Sequence, residues 1–164
     1  GNFDKTVTIN WIDSVRTKDI VPSLGDLNDK EYGTDPIEII GNWVTIVEDG
    51  YLTLSFCALW GNPSVAHSIN LVSGVDPENP YVLELRHNAM GDNYHINPTY
   101  GNGVIAFDLS SLPSTEGKEV DLVINYKGLS IGNASVKFKY CTGEAAQTGR
   151  QPSFAELTKS LEIK

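Results

Sequence analysis

The chain has 164 residues, 40% of them hydrophobic and 20% charged, with a formal net charge of −9. That is the length of one domain with a self-sufficient core, and the composition excludes a disordered or collagen-like chain. The acidic balance argues against a nucleic-acid groove or a polybasic membrane surface, and no apolar run approaches the roughly 20 residues of a membrane helix.

In chain order the dominant period is two, the mark of half-buried strands. Thr6–Trp11 alternates polar with apolar. Residues 22–34 carry Gly, Asp and Asn and read as a linker or exposed loop. Asp35-Pro36 opens a long run through Ile46. Glu48-Asp49-Gly50 supplies a glycine for a positive φ and predicts a hairpin. The run that follows places Leu52, Leu54, Phe56 and Ala58 on one face and Cys57 on the other. Alternation recurs over 67–71, 81–86 and 119–126. Over 135–140 it is cleanest, because Lys137 and Lys139 must face water while Val136, Phe138 and Tyr140 face in. Gly61-Asn62-Pro63, Asp76-Pro77-Glu78-Asn79-Pro80 and Gly101-Asn102-Gly103 punctuate these runs.

Short strands at roughly ten-residue spacing predict an all-β, mainly antiparallel sandwich, Ig-like in type. The expected organisation is an extended arm over 1–21, a linker over 22–34, the sandwich over 35–150 and a tail over 151–164. In the tail, Ser153 and Glu156 have capping-box spacing, and Phe154, Leu157 and Leu161 share a helical face, so a short helix is expected there. An N-terminal edge strand at Thr6–Trp11 makes a strand-mediated dimer an expected association.

Cys57 and Cys141 form neither a CxxC pair nor a disulfide framework; two free thiols are expected, with one bridge between neighbouring strands the alternative. Neither a GxSxG elbow nor an HExxH, P-loop or GxGxxG motif occurs, so no enzyme activity and no cofactor is expected. His67 and His87 fall on apolar faces by parity, and with His95 they have no ligand spacing that enforces a metal site. The segment 86–97 is the densest polar stretch. Its Asp92, Asn93 and Asn97, or Asp76 and Glu78 in another loop, have the chemistry to ligate calcium, but such residues also serve ordinary turns. Among the aromatics Trp43, Trp60, Tyr94 and Tyr100, parity places Trp60 in the core. Tyr94 and Tyr100, beside Gly and Asn turns, are candidates for stacking on a glycan or peptide. The candidate ligand-binding residues are thus His87, Asp92, Tyr94, His95 and Tyr100.

The stretches Asp35-Pro36-Ile37-Glu38-Ile39, Asp49–Phe56, Leu83–Asn88 and Val104–Leu112 stand in an order that resembles the NigD-like proteins of the Bacteroides and Prevotella group. The resemblance spans roughly residues 35–141. It implies an N-terminal OB-like domain followed by a C-terminal β-sandwich, with Ile12–Ile20 as the last strand of the first domain and its exit. No secretory signal pattern is present and the chain starts at Gly1, which reads as a cut downstream of the natural start. The resemblance further implies an exported, lipid-anchored cell-envelope protein associated with a bacteriocin locus. The function expected from it is a non-enzymatic interaction module with a protein or glycan partner. Metal binding, glycan binding or hydrolysis by the 87–97 loop is the alternative.

Overall fold

A computed structural model describes residues 15–143. The expected Thr6–Trp11 strand and the C-terminal helix lie outside the described residues. Ten strands form two sheets: β1 Arg16–Asp19, β2 Val21–Pro22, β3 Glu38–Ile40, β4 Ile46–Glu48, β5 Tyr51–Trp60, β6 Ser68–Ser73, β7 Val82–Asn88, β8 Thr99–Asp108, β9 Val120–Gly128 and β10 Gly132–Tyr140. The first sheet runs β1-β8-β5-β3, with β4 also on β5; the second runs β10-β9-β7-β6-β2. The chain is an all-β sandwich, as its period-two patterning predicts.

The apolar parity of the longer strands faces the space between the sheets. Leu52, Leu54 and Ala58 of β5 and Phe107 of β8 meet Leu83, Leu122, Ile124 and Phe138 from the opposite sheet in one buried cluster. Lys137 and Lys139 alternate outward from β10. The hairpin at Asp49-Gly50 forms as expected. Glu48 pairs with Tyr51, and the two residues between have φ of 49° and 82°, the paired positive φ of a two-residue turn whose twist suits its strands.

Three expectations need correction. The run from Asp35 through Ile46 is not continuous. It breaks after Ile40 into a turn closed by Thr45, whose Oγ1 donates to the Ile40 carbonyl and accepts from the Ser55 N–H. Residues 16–22 are not a separate arm. β1 lies parallel to β8 in the first sheet, β2 lies parallel to β6 in the second, and buried Ile20 crosses between them. With β7 parallel to β9, three pairings are parallel in a mainly antiparallel fold. The 22–34 stretch is a packed element rather than a linker. It contains a 3-10 turn at Gly25–Leu27 and the one-turn helix α1, Asn28–Tyr32. Buried Asn28 fastens it by accepting from the Leu24 N–H and donating to Ser23 Oγ.

Candidate functional site

Two arrangements lie at adjoining places on the second sheet. The first is a buried polar chain. β7 ends at Asn88, and the next turn, closed by the Asp92 N–H on the Ala89 carbonyl, has positive φ at Met90 (54°) and Gly91 (79°). This reversal sends the Asp92 carboxylate back toward the loop after β5. There it accepts the N–H of Gly61 at 2.7 Å and of Asn62 at 3.0 Å. Gly61 is required by that approach: a Cβ there would fall on the Asn93 carbonyl.

The same carboxylate lies 3.0 Å from His67 Nε2, His67 Nδ1 lies 2.8 Å from His87 Nε2, and His87 Nδ1 lies 2.9 Å from the Pro36 carbonyl. His87 must donate in the last of these, because a carbonyl only accepts. Trp60 stacks on His67 with ring centroids 4.3 Å apart and planes 15° apart, and its indole N–H donates to the Val65 carbonyl. Water is excluded: the side chains of His67 and Asp92 are 1% and 3% exposed, and His87 is 1% exposed. Burial pushes His87 below the ordinary imidazole range; the bond to Pro36 acts in the opposite sense. Burial opposes ionisation of Asp92, but the Gly61 amide, the His67 ring and the Asn62 amide together hold its carboxyl below the usual range.

The second arrangement is an open cleft of about 670 Å³ between the 29–35 segment and the outward faces of β7, β9 and β10. Its two cations tie the wall to the sheet. The Arg86 guanidinium donates to Glu84 through Nε and a terminal nitrogen, and to Asp29 and the Gly33 carbonyl through the other. Lys127 Nζ donates to the Thr34 carbonyl. The floor carries Asn125, Asn133 and Ser135, which adjoin across the β9–β10 ladder, Asn125 opposite Ser135. Among the described residues no hydrogen bond engages these two side-chain amides or this hydroxyl.

Asp35 joins the two arrangements. Its backbone N–H donates to the His87 carbonyl, and its carboxylate accepts the Ala89 N–H at 2.7 Å and the Tyr94 hydroxyl at 3.2 Å.

Of the residues singled out from sequence, His87 and Asp92 belong to the buried chain. Tyr94 is anchored on Asp35, with its ring centroid 4.2 Å from that of exposed His95. Tyr100 stands 71% exposed on β8 of the first sheet, paired with Leu59 of β5, and no ring contact joins it to Tyr94 among the described residues. Both oxygens of Asp92 are engaged by the 61–62 amides and His67, while Asp76 Oδ1 caps its own turn on the Glu78 N–H. Among the described residues no three metal-ligating side chains converge. Cys57 and Cys141 are both free. The sequence reading missed His67 as the centre of the chain, and it missed the cleft. Parity marks Arg86, Asn125, Lys127 and Asn133 as outward but cannot show that residues 29–35 wall them in.

Residues 19–140 match the family model described as the NigD-like C-terminal beta sandwich domain. Several solved structures are similar. One is of a protein called toxin-related, from Parabacteroides distasonis, at 48% identity and a TM-score of 0.68, covering 77% of this chain and 61% of that one. Another is a protein of unknown function from Bacteroides vulgatus, at 21% identity and a TM-score of 0.59, covering 92% of this chain and 66% of that one. A third is a NigD-like immunity protein from Bacteroides caccae, at 17% identity and a TM-score of 0.58, covering 80% and 66%. At these lower identities the second and third show the fold alone. The chain thus spans less than two thirds of each of these proteins. No functionally curated protein matches it.

Proposed function

The chain belongs to the NigD-like C-terminal β-sandwich family, and from that premise we propose that it is a non-catalytic recognition module of the cell envelope, with the cleft on its second sheet as the contact face. The observation that carries this reading is the division of labour inside the cleft. The charged groups Arg86 and Lys127 hold the wall, which leaves neutral donors and acceptors, Asn125, Asn133 and Ser135, facing outward. Two carboxamides and a hydroxyl on rigid strands suit an uncharged ligand rich in hydroxyl or amide groups, and a neutral envelope glycan is the ligand class we assign.

The non-catalytic part of the proposal rests on the buried chain. An acid–imidazole pair resembles catalytic machinery, but here every nitrogen and oxygen of the chain already has a protein partner and the rings are sealed from solvent. A general base must reach a substrate proton. Envelope location through a lipid anchor is part of the proposal, suggested by family resemblance, and is checked by fractionating cells that express the whole gene.

The test is an array of neutral oligosaccharides probed with the wild-type chain and with an Asn125→Ala/Asn133→Ala variant. The proposal expects retention of the wild type and a loss of at least about tenfold in the variant, the scale of one or two buried hydrogen bonds. A second reading, a protein partner, is supported by the names of two structural relatives, one toxin-related and one an immunity protein. It gains if the array stays blank.

A further inference from the structure

Three hydrogen bonds run end to end through the buried chain, from Asp92 Oδ2 through His67 and His87 to the Pro36 carbonyl. Both end atoms are acceptors. A carbonyl oxygen carries no hydrogen, and neither does an ionised carboxylate, so all three hydrogens must come from ring nitrogens. Two neutral imidazoles bring one N–H each, which makes two. With both rings neutral, His87 would use its hydrogen on Pro36 and His67 would use its own on His87. A bare Nε2 lone pair would then face the Asp92 oxygen at 3.0 Å.

We propose that His67 and His87 together form one buried proton-binding site, holding one proton more than two neutral rings, with Asp92 as its counter-charge. The extra proton makes either ring the imidazolium. In one form His67 donates from both nitrogens; in the other His87 does, and His67 keeps its hydrogen on Nε2 for Asp92. The two forms interconvert by moving one hydrogen across the 2.8 Å N···N contact.

Several neighbours offset the cost of burying this charge. Four segments pack around the pair: the end of β5, the start of β6, the turn after β7 and residues 34–36. The acidic groups they bring are Asp92 and Asp35; burial and the neighbouring His67 oppose a proton on His87, while the Pro36 bond and Asp35 act for it. Tyr94 reaches the site only through Asp35. Trp60 lays its π face over His67, a placement that attracts a cation. Placing the third hydrogen on Asp92 instead would weaken its bonds from the Gly61 and Asn62 amides, which are stronger to a carboxylate. The proton therefore ties the loop after β5 to the turn after β7, and through Pro36 to the segment that walls the cleft. This inference does not depend on what the cleft binds.

Asp92→Asn offers a near-isosteric test. With its NH₂ in the place of Oδ2, Asn donates to a bare His67 Nε2 and its oxygen keeps the Asn62 amide, at the loss of the Gly61 bond, so the chain closes with two ring hydrogens instead of three. The first measurement is a long-range ¹H–¹⁵N spectrum of histidine-labelled full chain at pH 7.5, with exposed His95 as internal reference. The proposal expects three protonated ring positions across His67 and His87 in the wild type and two in the variant. The second is Tm from pH 7 to 10, where the wild type is expected to lose about 5 °C more than the variant. Two neutral rings in the wild type, or equal alkaline profiles, would overturn it. The ring count on the wild type stands even if the variant fails to fold.

Discussion

His67 Nδ1 and His87 Nε2 stand 2.8 Å apart in a space closed to water, although the two residues are twenty positions apart, one just before β6 and the other on β7. With the bonds of Asp92 and Pro36 on either side, that contact links the loop after β5, the end of β7 and the Asp35-Pro36 segment.

Acid should weaken this contact. Burial sets His87 below the ordinary imidazole range, so the folded pair resists a second proton that the unfolded chain accepts freely below about pH 6.5. Below that pH the unfolded state binds more protons, and stability falls as pH falls. Urea unfolding at pH 5.0 and 7.5 is expected to show a lower midpoint at pH 5.0. In His87→Gln, where Gln donates to Pro36 without titrating, the difference should shrink. An unchanged acid dependence would remove His87 from its cause.

Gly61→Ala should cost about 2 kcal/mol, within the range of a single strained substitution. The new Cβ falls on the Asn93 carbonyl, and Asp92 Oδ1 would lie 2.9 Å from it. The loop must move and take the Asp92 bonds to the 61–62 amides with it. Chemical denaturation measures the loss, and ring signals of His67 should broaden or shift in the same variant.

Much of the fold is legible in the sequence, because the buried face of a strand is a period-two property and each strand carries its own record. Val136, Phe138 and Tyr140 inward with Lys137 and Lys139 outward is visible in six letters. The Asp49-Gly50 turn is equally local. The interrupted 35–46 run is not, since Thr45 ends β3 by bonding to Ile40 and Ser55, a contact ten residues away. The parallel pairing of β1 with β8 joins residues nearly ninety apart, and no pattern in Arg16–Asp19 announces it.

The candidate site divides in the same way. His87 and Asp92 are legible because one is a histidine on an apolar parity and the other an acid in the densest polar stretch. Their connection through His67 depends on the β6–β7 register, in which Ile69 faces His87. Asn125 and Asn133 looked like ordinary solvent-facing positions. Only the 29–35 segment, fastened by Arg86 and Lys127, turns them into a floor.

Arg86→Ala should loosen that wall. The Arg86 side chain is 14% exposed, and its guanidinium bonds Glu84, Asp29 and the Gly33 carbonyl. Asp29 is itself 72% exposed, so its ion pair adds little and most of the effect comes from the two inner partners. A loss of about 1–2 kcal/mol is expected. Amide exchange should accelerate over residues 28–34 and remain slow in β5 and β8.

The thiols give a simple check. Cys57 lies in the first sheet and Cys141 follows β10 in the second, both free. Burial pushes the Cys57 thiol up, with Glu38 adding to the effect, so less of it is thiolate at neutral pH. Intact mass should be identical with and without reductant, and alkylation of Cys57 at pH 7 should be slower than that of a model thiol.

The claim that the cleft floor is the recognition face meets its most direct test in the side-chain NH₂ signals of asparagine. The chain is titrated with the neutral oligosaccharide that it retains best. The account predicts that the Asn125 and Asn133 pairs shift together and saturably, while those of Asn42 and Asn70 stay in place. Saturable shifts confined to other residues, or no shift with any neutral oligosaccharide, would contradict it.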